Sequence, residues 1–195
     1  MNVNEYLDLA CLKPLVTRQQ VIETCILGRK HNVASVCVLP QFVSLANWYF
    51  DNVSTVIGFP YGCSQAKFSE TKIAIADGAK ELDVVLDYNK FLSEGFEVLY
   101  ELVDYAHQNN VIVKLILETC FHTQISLIAA CVHYTFVDML KTSTGVFGGA
   151  REQDVLTMLK YSDLPIKASG GIKTKEQAER FIKLGCKRIG ASRVF

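Results

Sequence analysis

The sequence predicts an α/β protein of the (β/α)8 class, a small TIM barrel. Strand-like and helix-like segments alternate along all 195 residues, and short loops join them. Alternation of this kind gives a parallel sheet covered by helices, and eight strand-like segments favour a closed barrel over an open doubly wound sheet. The chain is shorter than the roughly 250 residues typical of such barrels, so the open sheet remains the alternative. We expect a single domain over residues 1–195, with its final helix missing or truncated.

Each predicted strand is a short apolar run that stops at a proline, a glycine or a charged residue. In chain order these runs are 7–10, 33–39, 54–59, 82–86, 111–117, 136–140, 164–168 and 188–191.

The predicted helices are marked by capping residues and by apolar residues at helical spacing. Thr17 and Thr174 each have a glutamine three positions on, which forms a capping box. Ser69 and Thr123 are predicted to cap two further helices, and the other three lie at 41–50, from 96 to about 109 and from 152 to 161. The apolar stripes assigned to the four capped helices are Val21, Ile22, Cys25 and Ile26; Ile73, Ala76 and Ala79; Ile125, Ile128, Ala129 and Val132; and Ala178, Phe181 and Ile182.

The composition narrows the class of protein. Lysine plus arginine equals aspartate plus glutamate, 20 each, so no basic excess favours nucleic acid or an anionic membrane as a partner. No apolar run reaches the roughly 18 residues of a membrane span, and the N-terminus lacks the pattern of a secretory signal. Seven cysteines, an odd number without a Cys-x-x-Cys pair, predict buried reduced thiols and a cytoplasmic location.

Lys141 is the first candidate for chemistry. An apolar run leads into this lysine, and the small residues 142–145 follow it. That pattern is typical of a buried parallel strand ending in a functional loop, where α/β folds keep their chemistry. A lysine removed from water has its charged form disfavoured, which frees the amine as a nucleophile. The alternative is a lysine that ends the strand and points into solvent.

Asp83 and Lys167 also occupy predicted strands, where a barrel residue should be apolar. A buried unpaired charge is costly, so we expect these two residues and Lys141 to converge at one mouth. Each cationic lysine would disfavour the charge of the other, as a Schiff-base lysine requires. The alternative is a plain buried ion pair between Asp83 and one lysine.

Glycine-containing loops follow the last three predicted strands, at 142–145, 170–171 and 190–192. The loops after strands seven and eight are a frequent phosphate site in such barrels, because glycine lets backbone N–H groups approach an anion. Nucleotide-binding glycine motifs are absent, the four histidines have no metal-ligand spacing, and neither Cys63 nor Cys120 has an obvious base beside it.

These motifs, taken together, resemble the deoxyribose-phosphate aldolase family over nearly the whole chain. The sequence 81–85 (ELDVV) is similar to the strand that carries the family's catalytic aspartate, and 141–145 (KTSTG) to its Schiff-base motif. The segment 167–172 (KASGGI) is similar to its second-lysine motif, and 190–192 (GAS) to its last loop. The opening segment 7–14 (LDLACLKP) also resembles the family, although Ala10 stands where the family has threonine.

The resemblance implies a lyase of deoxyribonucleotide catabolism that reversibly cleaves 2-deoxy-D-ribose 5-phosphate to D-glyceraldehyde 3-phosphate and acetaldehyde, with no metal or organic cofactor. Lys141 would form the imine, and Lys167 would lower the Lys141 pKa and relay protons. Asp83 would shuttle protons with water, and Asp8 would support that network. The substrate or phosphate contacts expected from the resemblance are Thr142, Gly171, Gly190 and Ser192.

The missing helix would expose apolar barrel surface, so we expect a homodimer or a larger homo-oligomer. Two other functions stay open. One is a Schiff-base aldolase or transaldolase acting on a related sugar phosphate, and the other is a non-catalytic relative that binds a sugar phosphate.

Overall fold

Eight parallel strands close into a barrel in chain order, and β8 pairs with β1 to complete it. The computed structural model describes residues 2–62, 65–88 and 96–195. The strands are β1 (Leu7–Cys11), β2 (Ser35–Val38), β3 (Val53–Ile57), β4 (Glu81–Val85), β5 (Ile112–Ile116), β6 (Met139–Lys141), β7 (Ile166–Ser169) and β8 (Arg188–Ala191). The predicted barrel is confirmed, and the open sheet is wrong.

Seven α-helices connect successive strands. They are α1 (Arg18–His31), α2 (Val43–Asn47), α3 (Lys67–Ala76), α4 (Phe96–Gln108), α5 (Gln124–His133), α6 (Glu152–Tyr161) and α7 (Lys175–Leu184). After β8 the described chain forms no further helix. Its last residue is held to the N-terminal segment, because the Asn4 side chain donates to the Phe195 carbonyl at 2.9 Å and accepts from the Phe195 N–H at 3.0 Å.

Both predicted capping boxes are present. The Thr17 and Thr174 side chains accept from the N–H groups of Gln20 and Gln177, and the glutamine side chains accept from the cap residues in return. Asn32, the residue after α1, takes the left-handed conformation that closes a helix, with φ 51°. Local sequence signals therefore place these helix ends correctly.

Two other helices are present, but their predicted cap or bounds are wrong. Ser69 does not cap α3, which begins two residues earlier after Ala66, and the predicted helix 41–50 is a short 3-10 turn (Pro40–Phe42) followed by the brief α2. Several apolar residues assigned to buried stripes are largely exposed, namely Ile26, Ile73, Ile125 and Val132.

Small residues face the sheet instead of these larger ones. Gly28 of α1 packs so closely that a Cβ there would lie 2.8 Å from Cγ2 of Val36 on β2. Ala74 and Ala130 are buried on α3 and α5. Only small side chains fit where a helix lies this close to the strands. The larger apolar residues named above therefore lie on the face directed away from the sheet.

The main apolar core lies between the strands and the surrounding helices, whereas a cluster of charged side chains lies in the barrel interior. Ion pairs join the non-adjacent strands β1 and β5, and β4 and β8, which is possible only across the interior. Fully buried apolar side chains such as Leu102, Leu115, Leu140 and Met158 belong to the core outside. Among the described residues, no helix is both long and apolar enough to cross a membrane.

Candidate active site

A cavity of about 650 Å³ opens at the carboxyl ends of the strands. Four charged side chains from β1, β4, β6 and β7 lie along it, and glycine loops form part of its wall. The residues predicted for the site that line this cavity are Asp8, Asp83, Lys141, Lys167, Gly171, Gly190 and Ser192. Seven of the eight predicted residues are thus brought to one cavity.

Lys141 is the last residue of β6, and its side chain is almost fully buried. Its Nζ donates to Oδ2 of Asp83 at 2.7 Å. Burial lowers the pKa of the Lys141 amine, and the neighbouring Lys167 acts in the same direction, although Asp83 opposes both. The amine therefore loses its proton more readily than an ordinary lysine, and the alternative of a lysine that points into solvent is wrong.

Lys167 lies beside Lys141 in the register of β6 and β7. Its Nζ is 2.7 Å from Oδ2 of Asp83 and 2.5 Å from Oδ2 of Asp8. Burial alone would lower the pKa of Lys167, but the two carboxylates outweigh it and raise that pKa above its ordinary value. The pKa values of the two lysines shift in opposite directions because Lys167 has a second carboxylate partner and Lys141 has one.

Asp8 and Asp83 are both fully buried, yet they stay ionised. Burial would raise the pKa of each carboxyl, but the surrounding cations hold both values below the ordinary one. Asp83 lies between Lys141 and Lys167 and accepts from both through one oxygen, Oδ2. The plain pair of Asp83 with a single lysine is therefore wrong.

Three further charged residues join the cluster and were missed in the sequence. Lys114 of β5 is fully buried, and its Nζ lies 2.9 Å from Asp8 Oδ2 and 3.2 Å from Asp83 Oδ1. It also pairs with Glu81, which in turn accepts from Arg188 Nη2 at 2.8 Å. The signal was available, because each of these charges also lies on a predicted strand or beside one.

Glu118, also missed, holds the loop that follows Lys141. This buried residue has a left-handed backbone, with φ 53°. Its Oε2 accepts from the Thr144 N–H at 2.9 Å and from the Thr144 hydroxyl at 2.5 Å. The contact fixes the start of the β6–α6 loop beside the end of the strand that carries Lys141.

Thr142 is the predicted site residue that does not appear among the described residues lining the cavity. Its hydroxyl donates to the Ser169 carbonyl at 3.1 Å and accepts from the Ser169 N–H at 3.0 Å. In this position the side chain braces β6 against β7.

The glycine loops lie next to the charged cluster. Gly171 has φ +73°, which favours glycine, and Gly190 has no room for a side chain. A Cβ on Gly190 would lie 2.7 Å from Cβ of Ser169 and 3.2 Å from Cε of Lys167. Lys173, not among the predicted contacts, adds an exposed cation to the same wall of the cavity.

The cysteines in the described part of the chain are free thiols and belong to no metal-binding group. Six are free, and five of these are buried, as predicted; Cys120 is exposed and Cys63 lies outside the described residues. In residues 2–62, 65–88 and 96–195, no group of three or more His, Cys, Asp or Glu could hold a metal ion. The expected absence of a metal or organic cofactor stays a prediction.

Known proteins are similar to this chain in sequence and in fold. The chain is 39% identical to a deoxyribose-phosphate aldolase of Treponema denticola, over 98% of this chain and 96% of that protein. It is 38% identical to one of Clostridium botulinum, over 98% of this chain and 97% of the relative. A tetrameric deoxyribose phosphate aldolase from Aeropyrum pernix superposes with a TM-score of 0.91 at 25% identity, over 97% of this chain and 86% of that one. A scan against protein-family models finds no match.

A closed (β/α)8 barrel with a buried lysine of lowered pKa at the end of a strand is the fold and site of a class I aldolase. Within that class, the chain belongs to the deoxyribose-phosphate aldolase family.

The buried carboxylates predict a specific dependence of stability on pH. The folded-state pKa of Asp8 is lowered, so its contribution is fully present above the unfolded-state pKa of about 4 and is lost progressively as the pH falls from there toward the lower folded-state pKa. We expect Asp8→Asn to lower the free energy of unfolding at pH 7 by about 3–5 kcal/mol, measured by urea unfolding. The difference from the unsubstituted protein should shrink between pH 5 and pH 3.

Asp51→Asn is the matched control, because it removes the same charge from a fully exposed side chain. It should leave the pH dependence nearly unchanged. A destabilisation by Asp8→Asn that stays constant from pH 7 to pH 3 would contradict the prediction.

Proposed function

We propose that this chain reversibly cleaves 2-deoxy-D-ribose 5-phosphate to D-glyceraldehyde 3-phosphate and acetaldehyde through an imine on Lys141. The observation that carries the proposal is the buried Lys141 amine, whose pKa is lowered, at a cavity shared with Asp83 and Lys167. Membership of the aldolase family supports the choice of substrate.

Imine formation begins with the unprotonated Lys141 amine. Its lone pair attacks the aldehyde carbon C1 of the open-chain sugar, and a proton moves to the carbonyl oxygen. Loss of water from the resulting carbinolamine leaves a protonated imine. Lys167 supports these transfers as the proton donor, because its raised pKa keeps it charged and its Nζ shares Asp83 Oδ2 with Lys141.

Cleavage then uses the protonated imine as an electron sink. A base takes the proton of the C3 hydroxyl, the C2–C3 bond breaks, and its electron pair moves to C2 and the imine nitrogen as an enamine. Glyceraldehyde 3-phosphate leaves. Protonation of the enamine at C2 and hydrolysis release acetaldehyde and restore Lys141. We assign the proton shuttle to Asp83 with water, and the support of that carboxylate to Asp8 through Lys167 and Lys114.

The phosphate is proposed to bind at the glycine loops after β7 and β8. Gly171, Gly190 and Ser192 line that part of the cavity, and Lys173 supplies a positive charge there. Backbone N–H groups at glycines and a flexible ammonium suit a phosphate dianion. The substrate contact expected of Thr142 stays a prediction, since its hydroxyl is already bonded to Ser169.

The proposed enzyme acts in the cytoplasm as a homodimer or a larger homo-oligomer. Free buried thiols support a reducing compartment. Exposed apolar side chains support self-association, for example Ile125 and Val132, which lie two turns apart on one face of α5. The A. pernix relative is a tetramer.

The imine is tested by reduction with borohydride in the presence of deoxyribose 5-phosphate, followed by peptide mass analysis. We expect the adduct on Lys141, and Lys141→Met should lower kcat by about three orders of magnitude or more. Lys160→Met, a substitution of an exposed lysine on α6, is the control and should keep both the adduct and the rate. An adduct on Lys167 would reverse the two lysine roles. Binding without turnover or adduct would favour the non-catalytic alternative, and turnover of another sugar phosphate in preference would favour the related aldolase.

The phosphate site is tested by Lys173→Met. Because the lysine would contact only the phosphate, we expect KM for deoxyribose 5-phosphate to rise about tenfold with little change in kcat, which corresponds to the loss of one charged contact. Cleavage of unphosphorylated deoxyribose serves as the internal control and should not change. An equal loss of kcat/KM for both sugars would contradict the prediction and show that the substitution damages the cavity as a whole.

Self-association is tested by sedimentation velocity over a dilution series. We expect a species of at least twice the 21.8 kDa of the chain at micromolar concentration. Sedimentation as a monomer throughout the series would contradict the proposed oligomer.

A further inference from the structure

Glu81 and Arg188 begin β4 and β8, at the end of the barrel opposite the cavity mouth. Arg188 Nη2 lies 2.8 Å from Glu81 Oε1, and its Nη1 pairs with Asp8. The Arg188 side chain is only 19% exposed and that of Glu81 is 2% exposed. Neither residue lines the cavity among the described residues, so neither is placed to touch a substrate.

Ion pairs nevertheless connect these two residues to the reactive amine. Glu81 pairs with Lys114, and Lys114 Nζ lies 3.2 Å from Asp83 Oδ1. The other oxygen of Asp83 lies 2.7 Å from Lys141 Nζ. A second route runs from Arg188 through Asp8 and Lys167 to the same oxygen of Asp83.

The charges of this cluster balance only when one lysine is neutral. Three carboxylates (Asp8, Glu81 and Asp83) face four basic side chains (Lys114, Lys141, Lys167 and Arg188). A proton on every lysine would leave one uncompensated positive charge in the barrel interior, which is costly away from water.

We propose that Arg188 and Glu81 are positioning residues that set the charge balance of the barrel interior and so keep Lys141 unprotonated. Arg188 supplies a permanent positive charge, which together with Lys114 and Lys167 satisfies the three carboxylates. No uncompensated negative charge then remains to stabilise the protonated form of Lys141. The inference rests on the proposed imine at Lys141.

Protonation directions in the cluster agree with this assignment. Carboxylates raise the pKa of Arg188, Lys114 and Lys167 against the effect of burial, whereas that of Lys141 is lowered. The groups that face Lys141 are Asp83 on β4, Lys167 on β7 and Cys37 on β2. Burial raises the pKa of the Cys37 thiol, so that group stays neutral and does not alter the balance.

The test measures the protonation of Lys141 without using the phosphate site. Acetaldehyde and cyanoborohydride place an ethyl group on the amine, and the initial rate of labelling at Lys141 is followed by mass analysis against pH. In Arg188→Gln the carboxylates that lose their partner should stabilise the protonated form of Lys141. The acid limb of the plot of labelling rate against pH should then move up by about one pH unit. In Glu81→Gln one carboxylate is lost, and the limb should move down by a similar amount.

Three further variants separate charge from structure. Arg188→Lys keeps the positive charge and should retain most of the original pH dependence of labelling. The double variant Glu81→Gln/Arg188→Gln should also label with nearly the original pH dependence, because it removes one charge of each sign from the cluster. Arg180→Gln removes a positive charge from an exposed side chain on α7 and should cause no change. Circular dichroism and thermal melting establish that each variant is folded.

Opposite shifts in the two single variants support the proposal. Shifts in the same direction, or reduced labelling without a shift, would overturn it and leave the Glu81–Arg188 pair a purely structural role. If Arg188→Gln does not fold, the result for Glu81→Gln alone decides between support and rejection. A shift of its acid limb to lower pH would support the proposal, because structural damage does not extend labelling to lower pH. Labelling of the unsubstituted protein at another lysine, with none at Lys141, would overturn the proposed function itself.

Discussion

Seven ionisable side chains of the described residues form one cluster inside the barrel, and the rest of the site depends on the balance of their charges. Each carboxylate among them contacts at least two basic side chains, with Asp83 in contact with Lys114, Lys141 and Lys167. Removing any charge from water costs several kcal/mol, so such a cluster persists only when its pairs are close and its sum is near zero. Burial of the apolar layer between strands and helices stabilises the fold and offsets the cost of removing these charges from water.

Closure of the barrel makes the cluster possible. Asp8 lies on β1 and Lys114 on β5, 106 residues later, yet their charged atoms are 2.9 Å apart across the interior. Neighbouring strands then fix the order of charges around the mouth, with Lys141 and Lys167 side by side in register. Glu118 and Thr142 fix the backbone beyond these lysines, which keeps the two amines in a defined position relative to Asp83.

The sequence was sufficient to predict the strands, both capping boxes and the convergence of Asp83, Lys141 and Lys167. Strand runs and caps are local signals, and a charge in an apolar strand is visible in the sequence. The inward face of a helix such as α3 was not predictable, because close packing against strands selects Ala74 over the larger Ile73. Lys114 was visible but not assigned, since its partners come from strands far away in the chain.

The difference between the two lysines of the mouth follows from the number of carboxylates that each one meets. Lys141 and Lys167 are equally buried and share Asp83 Oδ2 at the same distance of 2.7 Å. Lys167 also meets Asp8, and the added attraction outweighs the cost of burying its charge. Lys141 has no second carboxylate among the described residues, and its charge is further opposed by Lys167. One carboxylate therefore separates a lysine whose pKa is raised from one whose pKa is lowered. This asymmetry supports the proposed roles of Lys141 as the nucleophile and Lys167 as the acid, although the two amines lie against the same oxygen.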